Sequence, residues 1–324
     1  MSKNTLRISS FDCLYDYQSG NIQLTSKDKK LRGKPLKITL SNRTEGYDAL
    51  YSALDEAGLV DHSLTLPELP LQTDFSVLEV AGEDPRFCFN LGMGFKDQPF
   101  SVDMRRTPHM LITGGTGTGK TTLQRSIALH CLNHSQSMDI ELYGVDFNRV
   151  ELEPYFRGFE ERLATTLEEA YELFRALELR FEERLTELES LGVANVSSSD
   201  LPAIYVIVDS LYDIFVAKDF RETPLASKIK KIYEKIIQQG RIAGFFLIGG
   251  TQRTDVISGL IRANSAVKIL VGRSTLYYAQ SALDLPMEVE PMLGLLRSRG
   301  TAIASVFGEK SAFSVYSFPQ RPDI

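Results

Sequence analysis

A glycine-rich run near the middle of the chain constrains the fold more than any other feature. Residues Gly114–Thr122 read GGTGTGKTT and satisfy the pattern G-x-x-x-x-G-K-[ST]. The apolar segment Met110–Thr113 precedes this run, and apolar residues at helical spacing, beginning at Leu123, follow it. The run is therefore predicted to join a buried strand to a helix, which is the arrangement of a phosphate-binding loop in an α/β fold.

The residues of such a loop have separate chemical roles. The glycines allow successive backbone N–H groups to point into one concavity that holds phosphate oxygens. Lys120 supplies a positive charge for the outer phosphates, and Thr121 supplies a hydroxyl for Mg²⁺. We predict that a nucleoside triphosphate is bound by the consecutive residues Gly114, Gly115, Thr116, Gly117, Thr118, Gly119, Lys120, Thr121 and Thr122.

Short apolar segments, separated by stretches long enough for helices, indicate a mostly parallel sheet that helices cover on both faces. The predicted strands are Met110–Thr113, Ile140–Asp146, Ala203–Asp209, Phe245–Gly249, Val267–Val271 and Thr301–Phe307. Apolar residues recur at steps of three and four over Leu167–Leu188, which predicts an amphipathic helix packed on that sheet, with a coiled-coil partner helix as the alternative. The segment Glu151–Glu189 holds twelve acids and five arginines, a net charge of 5 − 12 = −7, so this helix is expected to face away from nucleic acid.

The amino-terminal part of the chain is predicted to be a separate, small α+β domain. Leu36–Leu40 alternates apolar and polar residues as a half-buried strand does, and Leu50–Ala57 has helical spacing. Pro67 and Pro70 then indicate an extended connector. We place the two domains at residues 1–88 and 89–324. The role of the first is left open between a docking domain, a DNA clamp and an extension of the second.

Charge and composition limit the classes of protein to which the chain can belong. The chain has 36 basic and 42 acidic residues, a net charge of 36 − 42 = −6, which excludes a wholly basic nucleic-acid coat. The basic stretch Lys27–Lys37 is typical of a solvated face, and we assign it no function. The longest apolar run, Ala203–Val208, is too short to cross a bilayer, and Met1–Ile8 has no signal-peptide core. We therefore expect no direct membrane insertion and a cytoplasmic location.

A phosphate-binding loop of this kind also needs a carboxylate at the end of a neighbouring strand to hold the magnesium shell. Asp209 follows a strongly apolar strand and is the Walker B candidate. The next residue is Ser210, whose hydroxyl is a poor general base near neutral pH. Asp213 and Glu151 are the candidate bases in its place, and the alternative for each is a structural role.

Two further side chains are candidates for contact with a γ-phosphate. Gln252 lies just beyond the strand that begins at Phe245, where its amide could sense the γ-phosphate or position water. Arg241 lies in the turn before that strand, where its guanidinium could reach the γ-phosphate of a neighbouring subunit in a ring. The alternative for Arg241 is a surface salt bridge. The other candidates for this role are Arg273, Arg297 and Arg299.

These segments resemble the FtsK/SpoIIIE-type motor ATPases of the HerA–FtsK branch, over about Leu91 to Gly308. Asp146–Leu152 looks like the family's Asp-Pro-Lys-x-x-Glu-Leu element, and Asp209–Asp213 looks like its Asp-Glu-Leu-Ala-Asp element. The most specific match is Gln239–Asn264. It is similar to the family's arginine turn, its Thr-Gln-Arg strand end and its Val-Ile-x-Gly-Leu-Ile-(Lys/Arg)-Ala-Asn helix.

The resemblance implies a fold, cofactors and partners. The fold class would be α/β, a RecA-like P-loop NTPase core with a mostly parallel sheet, and the cofactors would be ATP and Mg²⁺. Lys120 and Thr121 would bind nucleotide and metal, with Asp209 as the second metal-site residue. Gln252 would be the sensor and Arg241 a finger acting in trans. The partners would be double-stranded DNA, which members of the family pump, and further copies of the chain in a hexameric ring.

Two other functions are open within the same resemblance. The family includes type VII secretion ATPases, which export proteins, so protein export is an alternative to DNA translocation. Ser210 stands where the family has its catalytic Glu, which favours a third function, an assembly module that holds ATP without turnover. The family's Pro and Lys are also replaced by Phe147 and Asn148, and its proline after Thr-Gln-Arg by Thr254. Because the chain resembles a motor core alone, membrane attachment would come from a membrane-anchored or secretion-system partner, or from a longer parent protein.

A DNA pump would need basic residues along its channel, where phosphate contacts make binding salt-sensitive. The candidate lining residues lie near the loop after Asp209 and are Lys218, Arg221, Lys228, Lys230 and Lys231. The alternative is that Ile229, Ile232 and Ile236 form the buried stripe of a helix whose lysines are merely solvated.

Overall fold

A computed structural model describes the backbone of four short amino-terminal strands and most of the chain from residue 80 onward. The described residues are 5–8, 11–16, 21–26, 36–39, 80, 82–94, 99–135, 139–216, 223–284, 293, 296 and 300–315. The predicted helix over Leu50–Ala57, the connector at Pro67 and Pro70, and residues 27–35 of the basic stretch lie outside them.

The amino-terminal strands form a four-stranded antiparallel sheet in which each strand pairs with the next along the chain. The strands are β1 (Thr5–Ile8), β2 (Phe11–Asp16), β3 (Asn21–Ser26) and β4 (Leu36–Thr39). Strand β4 confirms the strand predicted from the alternation over Leu36–Leu40. The division into domains at residue 88 stays a prediction.

The remaining strands form one ten-stranded sheet in the order β6-β5-β14-β13-β12-β7-β11-β10-β8-β9. Its strands are β5 (Cys88–Gly94), β6 (Pro99–Asp103), β7 (Met110–Thr113), β8 (Ile140–Val145), β9 (Leu163–Ala164), β10 (Ala203–Val208), β11 (Phe245–Thr251), β12 (Val267–Val271), β13 (Thr301–Val306) and β14 (Glu309–Val315). Neighbouring strands from β12 to β9 are all parallel, whereas β13, β14, β5 and β6 are joined by antiparallel pairs. The prediction of an α/β fold with a mostly parallel sheet is confirmed.

Helices cover both faces of the larger sheet. They are α1 (Lys120–Ser135), α2 (Leu167–Leu191), α3 (Leu211–Phe215), α4 (Pro224–Ala243), α5 (Gly259–Asn264) and α6 (Leu276–Leu283). Side chains alternate along the central strand β10, so Tyr205 and Ile207 pack in the core on the α1 face, whereas Ile204 and Val206 pack on the α2 and α4 face. Two hydrophobic cores therefore sandwich the sheet.

Helix α2 packs its apolar stripe against the sheet and against α4. Thr166 caps its first turn by accepting a hydrogen bond from the Glu169 backbone, and Gly192 ends it in a left-handed conformation. Phe174 and Phe181 are buried, and the Phe181 ring meets Phe245 edge-on at 5.6 Å between centroids. This confirms the interpretation of an amphipathic helix packed on the sheet.

The parallel register aligns the strand ends. Val208 of β10 lies opposite Val145 of β8 and Gly249 of β11. Because parallel strands share a direction, the loops after β7, β8, β10, β11 and β12 all leave from one edge, which we call the carboxyl edge; the opposite edge is the amino edge. No helix among the residues that the structure describes is both long enough and apolar enough to span a bilayer.

Candidate functional site

The glycine-rich loop joins β7 to α1, as predicted, at the carboxyl edge. Gly117 and Gly119 have φ values of 74° and 113°, in the left-handed region where a side chain would be strained. At Gly114 a Cβ atom would lie 2.7 Å from the carbonyl oxygen of Val271, so the loop fits against β12 only because this residue has no side chain. The Thr118 carbonyl accepts a hydrogen bond from the Gly300 backbone at 2.9 Å, which ties the loop to the start of β13.

Lys120, the first residue of α1, is held on the strand that carries the Walker B candidate. Its Nζ lies 3.1 Å from Oδ1 of Asp209 and 2.9 Å from the Asp209 carbonyl oxygen. Both side chains are 8% exposed, so the ion pair is largely shielded from water. The structure therefore brings the predicted lysine and the predicted carboxylate together.

Gln124 completes the surroundings of the Lys120 ammonium and was not anticipated from the sequence. It lies one helical turn after Lys120, is fully buried, and has its Oε1 atom 3.4 Å from Lys120 Nζ. Its Nε2 donates to the Val208 carbonyl at 2.9 Å. Gly250 makes room for it, since a Cβ there would lie 2.6 Å from Gln124 Nε2 and 2.3 Å from the Asp209 carbonyl.

Ser210 has a structural role that the sequence analysis did not assign. It is the N-cap of α3, and its hydroxyl accepts a hydrogen bond from the Asp213 backbone at 3.4 Å. The signal was available, because serine directly before a helix is a typical cap. Asp213 itself is exposed in the first turn of α3, close in sequence to Asp209.

The Glu151 side chain is paired with Arg125. Its carboxylate accepts a hydrogen bond from Arg125 of α1 at 2.6 Å, and Arg125 also donates to the Glu151 carbonyl at 2.9 Å. The loop that carries Glu151 is shaped by Asp146, a fully buried carboxylate directly after β8. Asp146 accepts hydrogen bonds from the backbone N–H groups of Asn148, Val150, Glu151 and Leu152.

Gln252 lies beside the phosphate-binding loop, just after β11. Its Oε1 accepts a hydrogen bond from the Thr116 hydroxyl at 3.2 Å, and both side chains are exposed. The guanidinium of the next residue, Arg253, pairs instead with Asp255. This pairing raises the pKa of Arg253 and lowers the pKa of Asp255. Gln252 is therefore the side chain of this segment that meets the loop.

The arginine candidates lie in different places. Arg241 is exposed in the last turn of α4, at the amino edge. The seven residues of β11 separate it from Gln252, a distance of roughly 20 Å at the usual rise per residue. Arg241 therefore does not meet the phosphate-binding loop of its own chain. Arg273 is exposed just after β12, at the carboxyl edge. Arg297 and Arg299 lie outside the described residues.

The predicted basic lining falls partly on α4. Ile229, Ile232 and Ile236 are buried, as the alternative interpretation of this helix requires. Lys228 lies over the ring of Tyr171, Lys230 lies over the ring of Phe215, and Lys231 is exposed. Lys218 and Arg221 lie outside the described residues.

The donor atoms of Thr121 and Asp209 suit a hard divalent cation. Both offer oxygen, the ligand that Mg²⁺ prefers. Thr121 is half-buried in the first turn of α1, and Asp209 ends the neighbouring strand, so both lie at the carboxyl edge. Among the described residues no cluster of three or more His, Cys, Asp or Glu side chains is arranged to hold a metal ion.

Comparison with known proteins agrees with this geometry. Residues 71–201 match the FtsK/SpoIIIE family. The chain is 27% identical over 222 residues to the DNA translocase SftA of Bacillus subtilis, covering 63% of this chain and 22% of that protein. It is also 27% identical over 254 residues to DNA translocase FtsK 2 of Neisseria meningitidis, covering 68% of this chain and 24% of that protein. The chain thus spans about a quarter of the length of these curated relatives.

Solved structures show the same fold. The pCW3 conjugation coupling protein TcpA, solved with ATPγS, superposes with a TM-score of 0.65 at 20% identity, covering 98% of this chain and 88% of that one. The cytoplasmic domain of the type VII secretion ATPase EccC of Thermomonospora curvata gives a TM-score of 0.60 at 19% identity, covering 78% and 33%. The chain therefore shares the fold of these two solved ATPases, and part of it, residues 71–201, resembles the FtsK/SpoIIIE family.

Proposed function

We propose that the chain is an ATP-binding motor domain that translocates double-stranded DNA as a ring oligomer. The observation that carries this proposal is the junction at the carboxyl edge, where Lys120 pairs with Asp209 while Gln252 contacts Thr116 of the phosphate-binding loop. The DNA substrate is supported by the names of the curated relatives, which are DNA translocases. DNA transfer, conjugation-type coupling, chromosome handling and defence are the settings that suit such a motor, and the proposed location is the cytoplasm.

In this proposal ATP draws Lys120 away from Asp209. A triphosphate brings more negative charge to the loop than the single carboxylate that Lys120 now contacts, so the ammonium moves to the outer phosphates. Asp209 and Thr121 then become free to hold Mg²⁺. When bound, that ion would offset the charge on the phosphate oxygens during transfer.

Hydrolysis needs a group that orients or deprotonates water. Ser210 caps α3, and Glu151 is paired with Arg125, so neither is free for this role. We favour Asp213, which is exposed one turn after Asp209. Gln252 would orient the water or sense the γ-phosphate.

A ring is proposed because Arg241 is at the wrong edge to serve its own chain. In a head-to-tail ring the amino edge of one subunit could meet the carboxyl edge of the next, so that Arg241 acts in trans on a neighbour's γ-phosphate. A hexamer is the proposed number of subunits. DNA would lie in the central channel, near Lys228, Lys231 and the basic residues that precede α4.

The motor is tested directly by displacement of a third strand annealed to a long duplex. Wild type with ATP should displace the strand, whereas Lys120→Ala with ATP, or wild type with ATPγS, should not. Displacement without nucleotide, or equal displacement by Lys120→Ala, would contradict the proposal.

Protein export is the second candidate, favoured by the fold shared with EccC, which is named a type VII secretion ATPase. The two functions predict different binding. A DNA motor binds random-sequence duplex with an affinity that falls steeply between 50 and 200 mM salt, by about a thousandfold for six phosphate contacts. An export ATPase shows no such duplex binding.

The third candidate is an assembly module that binds ATP without turnover, favoured by the capping role of Ser210. It predicts a steady-state rate equal to that of Lys120→Ala while wild type still binds ATP. A rate clearly above that blank excludes it.

A further inference from the structure

Helix α6 is hydrogen-bonded to the segment that carries Gln252. The Tyr278 hydroxyl donates a hydrogen bond to the Gln252 carbonyl oxygen at 2.8 Å. Three residues further along the helix, the Ser281 hydroxyl donates to the Thr254 hydroxyl at 2.7 Å. Residues three apart share a helix face, so one face of α6 holds the segment at two points.

The Tyr278 phenol also lies near the start of the phosphate-binding loop. Burial raises the pKa of Tyr278, and the nearby Gly114 backbone opposes that rise. Thr116 adds a second link through the Gln252 side chain. Gln252 is therefore fixed by its main chain through Tyr278 and by its side chain through Thr116.

Helix α6 is held in place by buried side chains and by contacts with α5. Ala279, Ala282 and Leu283 are buried in a small core with β12 and β13. Arg262 of α5 donates to the Ser281 carbonyl and, at 2.7 Å, to the Thr254 carbonyl. The segment 252–254 is thereby hydrogen-bonded to both α5 and α6.

We propose that Tyr278 is a positioning residue that sets the Gln252 segment against the phosphate-binding loop and so determines how well the site distinguishes ATP from ADP. The inference rests on the proposed function, in which Gln252 senses the γ-phosphate. Without the phenol hydroxyl, the Gln252 carbonyl loses its donor, and the amide of Gln252 samples more positions. Contact with the γ-phosphate then weakens, while contacts with the α- and β-phosphates do not.

The test compares two neighbouring tyrosines. Tyr278→Phe removes only the hydroxyl and keeps the ring that packs against the small core between α6, β12 and β13. The matched control is Tyr277→Phe, because Tyr277 is 84% exposed and carries the same chemical change one residue away. For each protein the ratio of the dissociation constants for ADP and ATPγS is measured by calorimetry, and DNA-stimulated turnover is measured alongside.

Tyr278→Phe should lower the ADP to ATPγS ratio by about fivefold, the effect of one neutral hydrogen bond, with the ADP constant unchanged. The KM for ATP should rise by a similar factor, because the lost contact is one made to bound ATP, and Tyr277→Phe should match wild type. A merely structural role would lower thermal stability and leave the ratio intact, which would overturn the inference. A wild-type ratio near one would overturn it as well. Absence of wild-type turnover in DNA would instead count against the proposed motor, since the ratio does not depend on hydrolysis.

Discussion

The two edges of the larger sheet use buried charge in different ways. At the carboxyl edge Lys120 pairs with Asp209 beside the phosphate-binding loop, so its ammonium has a triphosphate site within reach. At the amino edge the fully buried Arg184 of α2 donates to the Pro202 and Ala243 carbonyls, at 2.8 Å and 3.2 Å, where the backbone enters β10 and leaves α4. The first charge can exchange partners, whereas the second satisfies carbonyls within the fold.

The difference shows that burial alone does not identify a functional charge. What separates the two edges is the direction in which the chain leaves the strands, because the loops that follow parallel strands converge at one edge. Predictions at four residues, which are Lys120, Arg184, His109 and Ser210, can break or sharpen this distinction.

The largest effect is expected at the carboxyl edge, for Lys120→Ala. Loss of the ammonium should weaken ATP binding by about a hundredfold, because hydrogen bonds to charged groups are the stronger ones. It should also lower the free energy of unfolding by about 3–5 kcal/mol, since Asp209 is left buried without its partner. Calorimetry and urea unfolding measure the two effects. Arg273→Ala, at the same edge but exposed, should leave the unfolding free energy unchanged.

At the amino edge, Arg184→Ala should lower the free energy of unfolding by about 3 kcal/mol because the Pro202 and Ala243 carbonyls lose their donor. ATP affinity of the folded protein should be unchanged. Arg184→Met, which keeps an unbranched apolar chain, should recover part of the loss. A change in ATP affinity for either variant would break the distinction between the edges.

A smaller effect is expected from pH, through His109, which directly precedes β7. Burial lowers the pKa of His109 to about 3, and its Nδ1 accepts a hydrogen bond from the Leu247 backbone, so the folded protein keeps it neutral. The unfolded chain takes up this proton near pH 6.5, so the stability contribution is complete above that pH and is lost as pH falls.

Between pH 7 and pH 5 this histidine should cost about 2 kcal/mol of unfolding free energy. His109→Asn is the matched variant, because His109 has a φ of 62° and asparagine tolerates that conformation. Between pH 7 and pH 5, the unfolding free energy of His109→Asn should fall by about 2 kcal/mol less than that of wild type. The carboxylates whose pKa values are lowered in the fold, such as Asp84 and Asp103, do not titrate in this window. If the unfolding free energies of wild type and His109→Asn fall equally with pH, His109 is not the source of this pH dependence.

The smallest effect is expected for Ser210→Ala, which removes the N-cap of α3 and should lower the unfolding free energy by about 1 kcal/mol. Ser210→Asn keeps a capping oxygen and should lose less. If turnover falls in Ser210→Ala but stability does not, Ser210 acts on the reaction and its capping role is secondary.

Local patterns predicted the central sheet well. The bounds of β7 and β12 agree with the predicted segments Met110–Thr113 and Val267–Val271, because a buried parallel strand is a short apolar run in any context. Strands β5, β6 and β14 were not predicted. Strand β14 pairs Phe313 with Gly94 of β5, and no local pattern reveals a pairing between residues so far apart along the chain.

The site residues that belong to a local sequence motif could be predicted. The glycine-rich loop and Asp209 follow from spacing, and their positions at one edge follow from parallel strands. Gln124 and Tyr278 could not be found in this way, because their polar partners come from separate segments that meet only in the fold. The choice between Asp213 and Glu151 likewise depended on Arg125, whose contact with Glu151 joins α1 to the loop after β8.

The central claim is that the junction of Lys120, Asp209 and Gln252 hydrolyses ATP to move DNA. The most direct measurement is the ATP hydrolysis rate of the purified protein at low salt, with and without long double-stranded DNA, with Lys120→Ala as the blank. The account predicts a rate that DNA stimulates strongly in wild type and not in Lys120→Ala. A wild-type rate equal to the blank in both conditions, with ATP still bound, would contradict it.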